Sequence, residues 1–226
     1  MTAEDTIPST TTAEVAEGET PTKSGRRVAL ILTAVAGFVN TMAFAGFGTT
    51  CSHMSGHFAS FSRGQTDQGG TVLMGWAIVS FFFGGILFAI FKEQGNKNLF
   101  RATLLIEAVL LIAATILQER ALCLMAIAMG LQNGYTSSIK GLRTTHVTGI
   151  LTDIGHDVVI ILNDLRKHRA SLRKDLRTFY VHVSIPVCFV AGGALGVPCF
   201  QRFGLNALLA PTLVTPALAA TRQQKE

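Results

Sequence analysis

Two stretches of this chain carry the same polar residues inside otherwise apolar sequence. Residues 37–56 align with residues 130–149 at one offset of 93 positions, without a gap. The matched positions are Gly37/Gly130, Asn40/Asn133, Gly48/Gly141, His53/His146, Ser55/Thr148 and Gly56/Gly149. Amides and hydroxyls exchange hydrogen bonds, and imidazole also takes up protons near neutral pH. This chemistry suits a polar binding site or a proton path.

A polar motif duplicated in apolar surroundings is typical of a site at the interface of two membrane repeats. The residues predicted to bind a small solute are Asn40, His53, Ser55, Gly56, Asn133, His146, Thr148, Gly149 and Asp153. In a helix from Thr144, the polar residues His146, Gly149, Asp153 and Asp157 would share one face, opposite Val147, Ile150, Leu151, Ile154 and Val158. That face would line a path for solute or protons. The alternative is an amphipathic helix lying along the membrane interface.

Glu107 is the second candidate for chemistry within the membrane. It follows Arg101 by six residues, which places it about 9 Å deeper along a helix. A buried carboxylate is costly unless it is protonated or paired. We predict that Glu107 and His146 couple transport to protons, the alternative for Glu107 being a structural partner for a histidine or amide.

Metal and enzyme chemistry have weaker support. His53 and His57 are four residues apart, as two ligands on one helical turn would be, but a third ligand would have to come from the other half of the chain. Cys51, Cys123, Cys188 and Cys199 have no paired spacing, so free thiols are expected. The sequence contains no phosphate-binding loop, dinucleotide fingerprint, nucleophile elbow or zinc-protease motif. We therefore predict no bound metal, no cofactor and no enzymatic activity.

The composition is that of an integral membrane protein. Apolar residues make up 49% of the chain and charged residues 15%, against roughly 25% charged in soluble domains. Residues 72–91 contain no charge, and about 20 apolar residues span a hydrocarbon core. The six predicted spans are residues 28–48, 72–91, 102–118, 121–139, 178–199 and 205–220. They form one membrane domain over residues 26–222, with a disordered acidic tail over 1–25 and a polar tail over 223–226.

The basic residues predict the orientation. With six crossings and a cytoplasmic N-terminus, 16 of the 19 Lys and Arg residues fall on the cytoplasmic side. Both termini are then cytoplasmic, and residues 164–177 form a basic loop near anionic headgroups rather than a nucleic-acid site. An alternative with eight spans adds residues 49–64 and 144–163 as crossings. It gives a weaker asymmetry, and both segments are polar for lipid-facing helices.

A second pair of matching segments extends the repeat. Residues 81–87 match residues 189–195 at Phe, both Gly and Leu, at an offset of 108. Each half, about 28–118 and 121–220, then contributes three crossings. The predicted fold is all-α: six transmembrane helices in a 3+3 inverted repeat, plus two polar re-entrant or interfacial helices. Eight spans would instead give parallel repeats.

Small residues and prolines predict the packing of these helices. Gly192 and Gly196 share one helix face, as do Ser80 and Gly84, and such faces let neighbouring helices approach closely. Pro186, Pro211 and Pro216 are expected to kink the last two spans.

The two motifs resemble those of the YoaK-type family, bacterial membrane proteins with a domain of unknown function. The similarity covers about residues 28–220 and depends on residues 36–57, 128–133 and 144–152. The family usually has an acidic residue where this chain has Asn40, and Asn where it has His57. The resemblance implies a six-helix integral membrane protein and supplies no substrate.

Together these features predict a small-solute transporter or channel. The alternatives are a membrane-embedded enzyme or metal-binding protein using His53, His57 and His146, and a non-catalytic scaffold. The expected partners are the lipid bilayer and an unidentified small solute, with a homo-oligomer as an option and no nucleic acid.

Overall fold

The chain folds into helices joined by short connections. The computed structural model describes residues 23–63, 68–95, 98–138, 147–167 and 171–221, and these contain no β-strand. The helices are α1 (Lys23–Phe47), α2 (Met54–Arg63), α3 (Gln68–Glu93), α4 (Leu99–Ile116), α5 (Ala121–Ser138), α6 (Val147–Arg166), α7 (Leu172–Phe203) and α8 (Leu209–Thr221). The predicted all-α class is confirmed. The N-terminal tail, the C-terminal tail and His146 lie outside the described residues.

Several of these helices are long and apolar enough to cross a membrane. Within the described residues four segments qualify by length and hydropathy: Ser24–Phe47, Gly69–Glu93, Leu99–Ile116 and Leu172–Ala220. The last contains both α7 and α8. These two helices are separated by Gly204, which adopts a positive φ of 56°, and by a short 3-10 turn. Large apolar side chains such as Phe82 and Leu213 are 68% and 76% exposed, as lipid-facing residues would be. These are the helices of a multi-pass membrane protein.

The long helices alternate in direction between two apolar clusters. Cluster A contains the late part of α1, around Met42, and the early part of α5, around Met125. Cluster B contains the early part of α1, at Leu32, and the late part of α5, at Tyr135. The antiparallel arrangement of α1 and α5 follows from this. By the same comparison α1, α4 and α7 run one way, whereas α3, α5 and α8 run the other.

Two helix pairs pack at the closest distance that backbones allow. A Cβ on Gly192 would overlap the carbonyl oxygen of Ala34, and a Cβ on Gly84 would overlap that of Ile127. The predicted close approach at these small residues is therefore confirmed. In each pair the contacting residues follow in the same order along both helices. Therefore α1 packs parallel to α7, and α3 packs parallel to α5.

The connection between α6 and α7 differs from the prediction. Residues 164–177 were expected to form a loop, which is wrong, because α6 continues to Arg166 and α7 begins at Leu172. The basic side chains of Arg173, Lys174 and Arg177 project from exposed positions on the first turns of α7. A high local charge therefore marks an exposed helix end here rather than a loop.

The predicted division of α6 into two faces is also wrong. Asp157 is buried with Ile150, which was assigned to the opposite face, whereas Asp153 is exposed. The buried positions of α6 are Ile150, Asp157 and Asp164, seven residues apart. A seven-residue spacing follows one side of a helix that packs lengthwise on another, and here the other helix is α7.

Candidate functional site

A cavity lies where the crossing of α1 and α7 meets the first residues of α2 and α6. Its volume is about 980 Å³. The polar lining residues are Asn40, Thr41, Thr50, Ser52, His53, Ser55 and Thr148. Apolar residues complete the wall: Phe44, Met54, Phe81, Val147, Phe189, Val190, Ala194 and Val197, with Gly37 and Gly193 at the helix crossing. An apolar pocket with a few converging polar groups is the usual form of a small-molecule site.

Asn40 fixes the shape of the polar wall. Its Nδ2 donates to the carbonyl oxygen of Ala36 at 2.9 Å and to Ser52 Oγ at 2.8 Å. Its Oδ1 accepts from the backbone N–H of Ser52 at 3.2 Å and from Cys51 Sγ at 3.7 Å. The buried amide therefore ties the connection after α1 back to α1 itself. This gives Asn40 a positioning role in the cavity wall.

Two titratable groups lie beneath the same wall. The Nε2 atom of His57 lies 2.9 Å from the carbonyl oxygen of Thr50, and it must carry hydrogen because a carbonyl oxygen only accepts. Burial lowers the pKa of His57 below 6.5, outweighing the hydrogen bond to Thr50. Burial raises the pKa of the Cys51 thiol to about 12. His57 is thus held neutral and Cys51 unreactive near pH 7.

The predicted solute-binding residues fall into three groups. Asn40, His53, Ser55 and Thr148 line the one cavity, and Gly56 lies against the imidazole of His53, where a Cβ would overlap the ring. Asn133, Gly149 and Asp153 are not among the lining residues, and Asp153 is exposed. His146 lies outside the described residues. The structure therefore brings together residues from both polar motifs, but a smaller set than the sequence predicts.

His53 is the one ionisable side chain among the described residues that line the cavity. It does not share a site with His57, whose Nε2 is directed at Thr50. Across the described residues, no group of three or more His, Cys, Asp or Glu side chains could hold a metal ion. No acidic side chain is among the described lining residues.

Glu107 is buried away from this cavity. Its carboxyl oxygens have no hydrogen-bond partner among the described residues, and the same holds for Thr103 Oγ1 and Gln132 Oε1. The aromatic rings of Phe100 and Tyr135 are 5.2 Å apart and set the register of α4 against α5. Thr103 lies one turn after Phe100, and Gln132 one turn before Tyr135, so these two polar residues lie at the same level. Glu107 lies one turn further along α4.

Sequence reasoning missed two polar contacts between helices. Gln132 donates from Nε2 to the carbonyl oxygen of Leu32 at 2.9 Å and so links α5 to α1. His182 lies 2.7 Å from the carboxylate of Asp157, joining α7 to α6. The second pair had a signal in the sequence, because Asp157 and Asp164 are seven residues apart, as are Asp175 and His182.

Residues 28–221 match the family described as "Protein of unknown function (DUF1275)". The chain belongs to this family. The match covers every described helix except the first five residues of α1, and the YoaK-type resemblance of the two polar motifs is consistent with it. No curated protein and no solved structure matches the chain significantly. The family assignment supplies no activity, which has to be inferred from the site.

Proposed function

We propose that the protein is a small-solute transporter or channel whose site lies between two inverted repeats. The observation that carries the proposal is the cavity itself, since the first residues of α2 and of α6 line it together. The lining residues Met54 and Val147 are 93 positions apart, and so are Ser55 and Thr148.

Equivalent helix contacts support the repeat. The close approach of Gly37 to Phe189 has a counterpart in that of Gly130 to Phe81. The approach of Gly192 to Ala34 likewise has a counterpart in that of Gly84 to Ile127. Every residue of one contact maps onto the other by the offsets of 93 or 108 found in the sequence.

The direction of the helices supports inversion and six crossings. The equivalent helices α1 and α5 are antiparallel, as inverted repeats with three crossings each require. Parallel repeats with eight crossings would place α1 and α5 in the same direction. The short α2 and the polar α6 are then re-entrant or interfacial, and the arginines at the starts of α1, α4 and α7 lie at one end, which we assign to the cytoplasm.

The lining indicates the kind of solute. It presents hydroxyl groups, the amide of Asn40 and one imidazole, and no described carboxylate. Helix N-termini carry partial positive charge, and the N-terminus of α2 lies at the cavity. We infer a small neutral or anionic solute with an apolar part that contacts Phe44 and Phe189.

Glu107 is the proposed coupling residue. A charged carboxylate buried without a partner is strongly disfavoured, so protonation of Glu107 removes an unfavourable buried charge. Gln132 links this level of α5 to α1, the helix that also bears Asn40. Release and uptake of the proton would therefore shift α1 and change the shape of the cavity wall. His146, the other predicted coupling residue, keeps that role as a hypothesis.

The test is uptake of a panel of radiolabelled amino acids, carboxylic acids and sugars into proteoliposomes. Ala194→Trp places a bulky side chain in the cavity, and its matched control is Leu195→Trp, which changes an adjacent lipid-facing position that is 65% exposed. We expect Ala194→Trp to abolish the uptake of at least one solute and Leu195→Trp to retain it. Glu107→Gln should retain binding and lose dependence on a pH gradient.

Equal uptake by both tryptophan variants would exclude this cavity as the path. If no solute enters and a chemical conversion is found instead, the membrane-embedded enzyme is the better description. If neither is found and a protein partner binds the intact chain, the non-catalytic scaffold is the better description.

A further inference from the structure

A second, basic groove lies between the first turns of α1 and α7. It has a volume of about 370 Å³. Its lining residues are Arg26, Arg173, Leu176, Arg177, Tyr180, Val181 and Ser184. Three guanidinium groups from two helices therefore border one concave surface, and none of the described lining residues is a carboxylate.

The acidic residue nearest in sequence does not line the groove. Asp175 lies between Arg173 and Arg177 in sequence, but it is not among the lining residues, and its electrostatic neighbours include Asp164 and Ser171. Asp164 belongs to α6 and does not line the groove either. The positive charge of the groove is therefore not balanced from within α7.

The length of α7 places the groove at the membrane surface. The helix has 32 residues, which is about 48 Å at 1.5 Å per residue, whereas the hydrocarbon core is about 30 Å thick. About a dozen residues must therefore extend beyond the hydrocarbon. The charged residues of α7 before Arg202 end at Arg177, so the part that extends is its N-terminal part. Tyr180, which is 65% exposed, lies where interfacial aromatic residues are enriched.

We propose that this groove binds the phosphate of an anionic phospholipid. Arginine forms paired hydrogen bonds with phosphate oxygens, and Arg26 with Arg177 can approach one phosphate from both sides of the groove. Leu176 and Val181 offer an apolar surface for the first carbons of the acyl chains. A zwitterionic lipid brings its own cation, which three arginines would repel.

The groove is separate from the solute cavity and does not depend on it. On α7 the groove ends at Ser184 and the cavity begins at Phe189. Because α1 and α7 pack along their length through Gly37 and Gly192, a lipid held between their first turns would stabilise this pair. Lipid binding therefore predicts a gain in stability that is measurable without knowing the solute.

The test is thermal unfolding of the full chain in a nonionic detergent with added phosphatidylglycerol, phosphatidylcholine or inorganic phosphate. Phosphatidylglycerol should raise the Tm by about 3 °C or more, and the other two should leave it within 1 °C or so. Arg173→Gln/Arg177→Gln should lose more than half of the gain. The control Arg120→Gln/Arg202→Gln, which removes the same charge at the opposite end, should keep it.

Three outcomes would overturn the proposal. An equal gain with phosphatidylcholine would exclude recognition of the anionic headgroup, and a full gain with inorganic phosphate would indicate a soluble anion. Equal loss in both double variants would assign the effect to net charge. If the groove double variant does not fold, the single variant Arg177→Gln serves in its place, and the comparison of the three additions with the unaltered chain still decides the ligand.

Discussion

At the scale of the residue, Asn40 is the side chain on which the cavity wall depends. Its donors and its acceptor bind three different residues of α1 and of the following connection. The YoaK-type motifs that this chain resembles imply an acidic residue at this position. A carboxylate could still accept from the N–H of Ser52, but without a proton it could not donate to the carbonyl of Ala36. The amide can thus donate to α1 and accept from the connection at the same time.

Replacing Asn40 by Ala should open the connection that carries Cys51. Loss of these hydrogen bonds leaves buried groups unpaired, which costs about 1–3 kcal/mol. Cys51 is fully buried, so alkylation by a maleimide should be very slow in the unaltered chain and clearly faster in Asn40→Ala. The measurement uses a chain in which the other three cysteines are Ala. Ser55→Ala, which removes a hydroxyl from the same wall, is the control and should leave Cys51 protected.

His57 gives this region a dependence on pH. Its pKa is lower in the folded protein than in the unfolded chain, so between those two values the unfolded chain binds more protons. The stability contributed by neutral His57 is therefore complete above about pH 6.5. It is lost as the pH falls towards the folded-state pKa.

The variant His57→Gln tests this direction of the dependence of stability on pH. Glutamine keeps a donor for the carbonyl of Thr50 but does not titrate. In melting experiments between pH 5 and pH 8, the unaltered chain should lose more stability on acidification than His57→Gln does. A parallel loss in both would mean that other groups cause the dependence.

At the scale of the element, the glycines decide which helices pair. Gly84 and Gly85 are neighbours on α3, yet their surroundings differ. A Cβ on Gly84 would overlap backbone atoms of α5, whereas no atom of the described residues lies within 4 Å of one on Gly85. The contact at Gly84 is backbone against backbone, so it cannot be relieved by turning a side chain.

Gly84→Ala should therefore destabilise the protein and Gly85→Ala should not. Forcing α3 and α5 apart costs about 1–3 kcal/mol or more. At Gly85 the better helix propensity of alanine contributes up to about 1 kcal/mol of stability. Unfolding in mixed detergent micelles with increasing SDS measures both variants. Equal midpoints would contradict the close packing of α3 on α5.

At the scale of the whole molecule, the alternating directions of the helices determine which connections share a membrane face. The arrangement of α1, α4 and α7 against α3, α5 and α8 places the connection after α3 and that after α6 at the same end of the molecule. It places the connections after α4 and after α7 at the other end. Eight crossings would separate the members of each pair.

Single cysteines test this arrangement in a chain whose native cysteines are Ala. Gln94→Cys and Lys167→Cys should react with a membrane-impermeant maleimide from one side of oriented vesicles. Gln118→Cys and Asn206→Cys should react from the opposite side. All four positions lie in connections between the long helices. Labelling of Gln94→Cys and Lys167→Cys from opposite sides would contradict six crossings.

The sequence by itself determined the helices and the close approaches between them. Charge-free runs of about 20 residues, the small residues at Gly84 and Gly192, and the two polar motifs are local patterns, so they can be recognised without knowing any partner.

Only the tertiary structure decided which helices meet. It pairs α1 with α7 and α3 with α5, and it turns Asp157 towards His182. It also buries Glu107 without a hydrogen-bond partner among the described residues. It also brings Ser55 and Thr148 to one cavity while leaving Asp153 exposed. The physical reason is that periodicity fixes the faces of a helix, whereas the neighbour of each face depends on packing between residues that are far apart in the chain.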